Sequence, residues 1–115
     1  SFMLTIEKLK AYGADTDEGM KRCLNDESFY FSLIQSIIPD TRIDELAKQI
    51  EDGDLDAAFD TAHALKGMYG NLALTPIIKP ISEMTELLRS RTNTDYTALI
   101  TEALEQKKKL NGLME

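Results

Sequence analysis

Apolar residues in this chain recur at spacings of three and four almost from end to end, and no segment alternates as a strand would. That pattern restricts the fold to packed helices. Ile6 and Leu9 mark a short first helix that Gly13 closes, and Asp15 with Glu18 supplies a D-x-x-E start for a second carrying Met20, Cys23 and Leu24. A third begins near Glu27 and puts Tyr30, Leu33, Ile34 and Ile37 on one face. Pro39 lacks an amide hydrogen, so this helix must kink or break there. Asp40 or Thr41 recaps it, and Ile43, Leu46, Ala47 and Ile50 carry the stripe on to Gly53.

Asp54 caps the next helix, whose seam is Leu55, Ala58, Ala62, Leu65, Tyr69 and Leu72. Thr75-Pro76 reads as a cap and first-turn proline. The core face that follows is Ile77, Ile81, Met84 and Leu88, with an irregular entry expected at Pro80. Thr92 to Asp95 form the last turn, and Tyr96, Leu99, Ile100, Ala103, Leu104 and Leu110 line the final helix. Short connections make successive long helices antiparallel. The expected fold is all-α: an antiparallel up-and-down four-helix bundle with two short N-terminal helices packed at one end.

With 115 residues the chain makes one domain, 1–115, with a single core. Ser1-Phe2 ahead of Met3 reads as a cloning remnant, which would make the natural protein a free-standing module starting at Met3. One cysteine, Cys23, allows no internal disulfide and suits a reducing compartment, and no apolar run is long enough to span a membrane. A cytoplasmic location and no membrane partner follow as expectations. The net charge of −7, with 20 acidic against 13 basic side chains, argues against nucleic acid. Lys107, Lys108 and Lys109 read as the solvated last turns of a helix, where cations favour the dipole.

The one histidine, His63, stands on the helix that Asp54 begins. At about 100° per residue the apolar seam centres roughly 140° away from it, so the imidazole faces outward. Asp56, Asp60, Lys66, Gly67 and Gly70 lie within about 60° of His63 by the same arithmetic, and Phe59 sits on that side one turn earlier. Mid-helix glycines cost about 1 kcal/mol each against alanine. No core contact explains glycine on an outward face, whereas the close approach of a partner's backbone does. Taken singly, a surface histidine, a solvated lysine, a weak helical glycine and an edge-packed Phe59 are all ordinary. Their shared face is what argues for a site.

Other chemistries lack their parts. One histidine and one cysteine make no ordinary zinc site, so no metal is expected. Asp52, Asp54 and Asp56 lack the spaced ligands of a calcium loop and read as a helix cap with solvated acids. No Gly-rich phosphate loop is present, and no serine or threonine has a base beside it.

The run Ala62 to Leu72, AHALKGMYGNL, resembles the signature of histidine-containing phosphotransfer (HPt) domains, AH-x-LKG followed by small residues. The resemblance implies a phosphocarrier rather than an independent enzyme. His63 would accept a phosphoryl group through Nε2 from an aspartate of a response-regulator receiver domain and pass it on. Lys66 would favour the phosphorylated state, and Phe59, Asp60, Gly67, Gly70 and Asn71 would form the docking surface. It implies no cofactor of its own, since the receiver brings Mg²⁺. The implied partners are a receiver domain and a hybrid or sensor histidine kinase, and the domain is expected to be monomeric. The alternative is a helical adaptor that binds receivers or other signalling proteins without taking phosphate. Met68 and Tyr69 depart from the small residues usual after Lys-Gly. Both should point toward the bundle, with the Tyr69 hydroxyl reaching an acceptor at the rim.

Overall fold

Aspartate and threonine side chains start the helices of the N-terminal third. A computed structural model describes residues 3–115, so the reading of Ser1 and Phe2 lies outside the described residues. Thr5 accepts from the Lys8 amide to begin α1 (Ile6–Tyr12), which Gly13 ends at φ 108, in the left-handed region glycine tolerates. Asp15 caps α2 (Thr16–Arg22) through the Glu18 amide, and Asp26 caps α3 (Glu27–Ile37) through that of Phe29. Four further helices follow: α4 (Arg42–Glu51), α5 (Leu55–Asn71), α6 (Thr75–Arg89) and α7 (Thr97–Gly112). All regular structure among the described residues is helical, as the spacing predicts.

The expected third helix is two. The chain breaks at Pro39, and Asp40 rather than Thr41 supplies the restart, its Oδ1 accepting from the Arg42 amide at 2.9 Å. α4 packs on α5, α5 on α6, α6 on α7 and α7 back on α4, so these four close a ring around the core. Three helices, not two, therefore precede the ring. They fasten to the α5–α6 turn and to the far end of α7. The Asp15 amide donates to Ala73 O at 2.9 Å, Tyr30 Oη to Leu72 O at 2.8 Å and Tyr12 Oη to Gln106 O at 3.3 Å.

The core holds the predicted apolar stripes: Tyr30, Ile34, Leu46, Ala58, Ala62, Leu65, Tyr69, Ile77, Ile81, Met84, Leu88, Ala103 and Leu110 are fully buried. Each large side chain among them contributes about 1.5–3 kcal/mol by leaving water. Four details differ from the sequence reading. Leu24 lies past the end of α2 at φ 60 and is 84% exposed, because the helix stops at Arg22 and the chain reverses. Thr75 does not cap α6: its hydroxyl donates toward Ala73 O, and Leu74 holds the cap position. α6 runs without interruption through Pro80, which is buried against the core. On α7, Leu104 is exposed and Lys107 is buried in the interior-facing row.

That lysine ties the break shut. Its ammonium donates to Ile38 O at 2.8 Å and Asp40 O at 2.9 Å, two carbonyls at the interruption around Pro39. Burial pushes the Lys107 pKa below the usual lysine range, while Asp40 and Asp44 pull it back up. The reading of Lys107 as a solvated side chain is thus corrected by carbonyls that a distant proline sets free.

Candidate functional site

α5 presents the candidate residues. Gly53 turns the chain at φ 74, and Asp54 Oδ1 accepts from the Ala57 amide at 3.1 Å, which fixes the first turn. From there Ala58, Ala62, Leu65 and Tyr69 point inward and are fully buried. Helical periodicity then turns His63 and Gly67 outward, and both are exposed; Lys66 and Gly70 are partly so. His63 and Gly70 share a face about 10 Å apart along the axis. A Cβ built on Gly67 or on Gly70 would meet nothing within 4 Å, so the protein's own packing does not require glycine at either place.

The surroundings come from both α5 and α6. The Phe59 and His63 rings lie 5.6 Å apart at 53°, within the range of tilted aromatic pairs. Phe59 is half-buried and flanked by cations: the guanidinium of Arg89 stands 5.1 Å from its centroid and that of Arg91 4.9 Å. Arg91 Nε also pairs with Asp56. Lys66 Nζ lies 3.6 Å from Glu86, whose other carboxylate oxygen takes Arg89 Nε at 3.2 Å. Hydrogen bonding from Arg89, then the Arg89 and Lys66 charges, hold the Glu86 carboxyl below its usual range. An exposed ion pair of this length is weak, so the Lys66 ammonium is loosely shared and can be given up to a stronger anion.

Asp60 and Asn71 are both exposed, Asn71 as the last residue of α5. Arg22, at the end of α2, donates to Gly70 O at 2.6 Å and brings the N-terminal helices to the edge of the face. Tyr69 points into the bundle as expected, but its hydroxyl reaches no rim acceptor. It is buried, without a hydrogen-bond partner among the described residues, and burial with Asp40 nearby pushes its pKa far up. Among the described residues no group of three or more His, Cys, Asp or Glu side chains could hold a metal ion. No described helix is long and apolar enough to cross a membrane.

The sequence reading missed Arg22, Glu86, Arg89 and Arg91. Each joins the site through the register of one helix against another, which a single sequence does not display. The closely spaced pair Arg89 and Arg91 at the end of a helix neighbouring α5 was the one available signal.

Comparison with protein families gives a match to the Hpt domain over residues 40–114. The match covers the four ringed helices and begins just before α4, leaving the first three helices outside it. No curated protein and no solved structure matches.

Proposed function

The chain belongs to the Hpt domain family, whose members carry phosphoryl groups on histidine in phosphorelay signalling, and on that premise we propose that His63 is the phosphoacceptor. The exposed imidazole beside two unobstructed glycines on α5 carries the reading. Nε2 of neutral His63 attacks the phosphorus of a receiver's aspartyl phosphate in line. The N–P bond forms as the P–O bond breaks, and the aspartate carboxylate leaves with the electron pair. Such a transfer depends on positioning and charge neutralisation. The receiver supplies Mg²⁺, while this domain supplies the ring and Lys66, which leaves Glu86 for the phosphoryl oxygens. Gly67 and Gly70 let the receiver's backbone approach, with Phe59, Asp60 and Asn71 around the contact.

The short connections between ringed helices support the up-and-down antiparallel order, and transfer from one ring needs only a monomer. The partners are a receiver domain and, upstream, a hybrid or sensor histidine kinase in the cytoplasm. The test is incubation with a phosphorylated receiver, which should leave an acid-labile, base-stable phosphate on the wild-type protein and none on His63→Gln. Receiver binding without any label would instead favour an adaptor. Gly67→Gln should fold normally and transfer slowly, and an unchanged rate would remove the explanation for that glycine.

A further inference from the structure

The guanidinium of Arg91 is held from several sides at once. Arg91 follows α6 at φ 51, a left-handed conformation that favours glycine. Its amide bonds Leu88 O at 2.9 Å while the Thr92 amide bonds Leu87 O at 2.9 Å, the two hydrogen bonds of a Schellman cap. Glycine would close that cap with less strain. Ala73 takes the equivalent place after α5, but it is buried and fills the core, whereas Arg91 is exposed. What an arginine adds here is its side chain. Nη1 donates to Leu88 O at 2.8 Å, Nε pairs with Asp56, and the cation lies 4.9 Å from the Phe59 centroid. Phe59 in turn lies against the His63 imidazole.

We infer that Arg91 is a positioning residue for His63: anchored by Asp56 and the end of α6, it holds the Phe59 ring, and Phe59 limits the rotation of the imidazole. The inference rests on His63 being the phosphoacceptor for its consequence but not for its geometry. An exposed histidine otherwise samples several side-chain rotamers, and in-line attack uses a narrow range of them. The tilted Phe59 contact on one side restricts the ring while leaving the other side open to the receiver. Arg89 stands over the same phenyl ring but pairs with Glu86 of its own helix, whereas Arg91 pairs with Asp56 on α5, the helix that carries Phe59 and His63.

The chain's one histidine gives one set of imidazole proton resonances, which makes the ring contact readable by NMR. In the wild type the Hδ2 and Hε1 signals should be displaced by the Phe59 ring current. Arg91→Gly keeps the cap and eases the backbone, yet removes the guanidinium. The signals should then move toward those of a histidine with no aromatic neighbour. The transfer rate at saturating phosphorylated receiver should fall roughly three- to tenfold, with the receiver concentration for half-maximal rate little changed. Arg91→Lys should rescue only partly, because an ammonium lacks the flat fork that stacks on a ring. Asp56→Asn, on an exposed side chain, should shift the same signals in the same direction and serves if Arg91→Gly proves unstable. Resonances and saturating rate both unchanged in a folded Arg91→Gly protein would overturn the inference. If the signals move but the wild type never takes phosphate, the ring contact stands and the phosphoacceptor reading falls. A labelled wild type with unmoved signals removes the positioning role of Arg91 alone.

Discussion

Lys66 and Lys107 put the same side chain to opposite uses. Lys107 is 8% exposed on α7, with two bonds under 3 Å to carbonyls at the broken turn before α4. Lys66 stands on the outward face of α5, 3.6 Å from a glutamate that also serves Arg89. The first cation is committed to the fold, and the second is available to a visiting anion. Two glycines repeat the contrast. A Cβ on Gly19 would run into the Tyr30 ring, while one on Gly67 would enter open space. Glycine at 19 answers a need within the molecule. At 67 the packing within the molecule gives no reason for it, and the proposed receiver contact is the reason offered.

The largest effect that could break this contrast is at the lysines. Lys107→Met strands the Ile38 and Asp40 carbonyls and should lower unfolding free energy by about 3 kcal/mol, read from urea denaturation. Lys66→Met should leave the denaturation midpoint where it is and shorten the life of the phosphorylated state. Equal effects of the two substitutions on stability would erase the distinction.

Next come the glycines. Gly19→Ala forces Tyr30 aside and should cost about 2 kcal/mol, disturbing the Tyr30 bond to Leu72 O as well. Gly67→Ala should raise stability by up to about 1 kcal/mol, because alanine favours helix and meets no obstruction. A destabilised Gly67→Ala protein would mean that the face is less open than its geometry states.

The last effect is alkaline and accumulates gradually with pH. Burial pushes Tyr30 up to about 12, and Tyr12 and Tyr69 are pushed higher still by the same cause. An unfolded phenol ionises near 10. The folded pKa is the raised one, so stability is intact below pH 10 and is lost above it. The loss is about 1.4 kcal/mol per pH unit for each phenol, continuing to about pH 12 for Tyr30. Lys107 works the other way, since its lowered pKa makes stability rise as pH climbs toward the ordinary lysine value, but it is one group against four phenols, burial raising Tyr96 as well. Urea midpoints between pH 9 and 11.5, with tyrosinate absorbance followed in parallel, check the sign. Tyrosinate appearing at pH 10 without unfolding would contradict the packing assigned to these rings.

The helices were legible because each carries its own signals: apolar residues three and four apart, Asp15 and Asp54 as caps, Gly13 as a stop. The outward set of His63, Lys66, Gly67 and Gly70 was legible for the same reason, since one helix's periodicity fixes it. What failed depended on a second element. Lys107 looked solvated because nothing local announces that Pro39 frees carbonyls for it, and Leu104 looked buried because the spacing fits either side of the seam. Arg89 and Arg91 stayed hidden because their place over Phe59 is set by the packing of α6 on α5. Tyr69 was placed correctly, yet whether its hydroxyl finds a partner depends on the neighbours that close over it.

The most direct test uses protein labelled with ¹⁵N in its one imidazole, mixed with a phosphorylated receiver and Mg²⁺ and observed by ¹⁵N and ³¹P NMR. Phosphorus should appear bonded to Nε2 of His63, with the helical fold unchanged. Phosphate on any other residue, or an imidazole unaltered while the receiver loses its phosphate to water, would contradict the assignment.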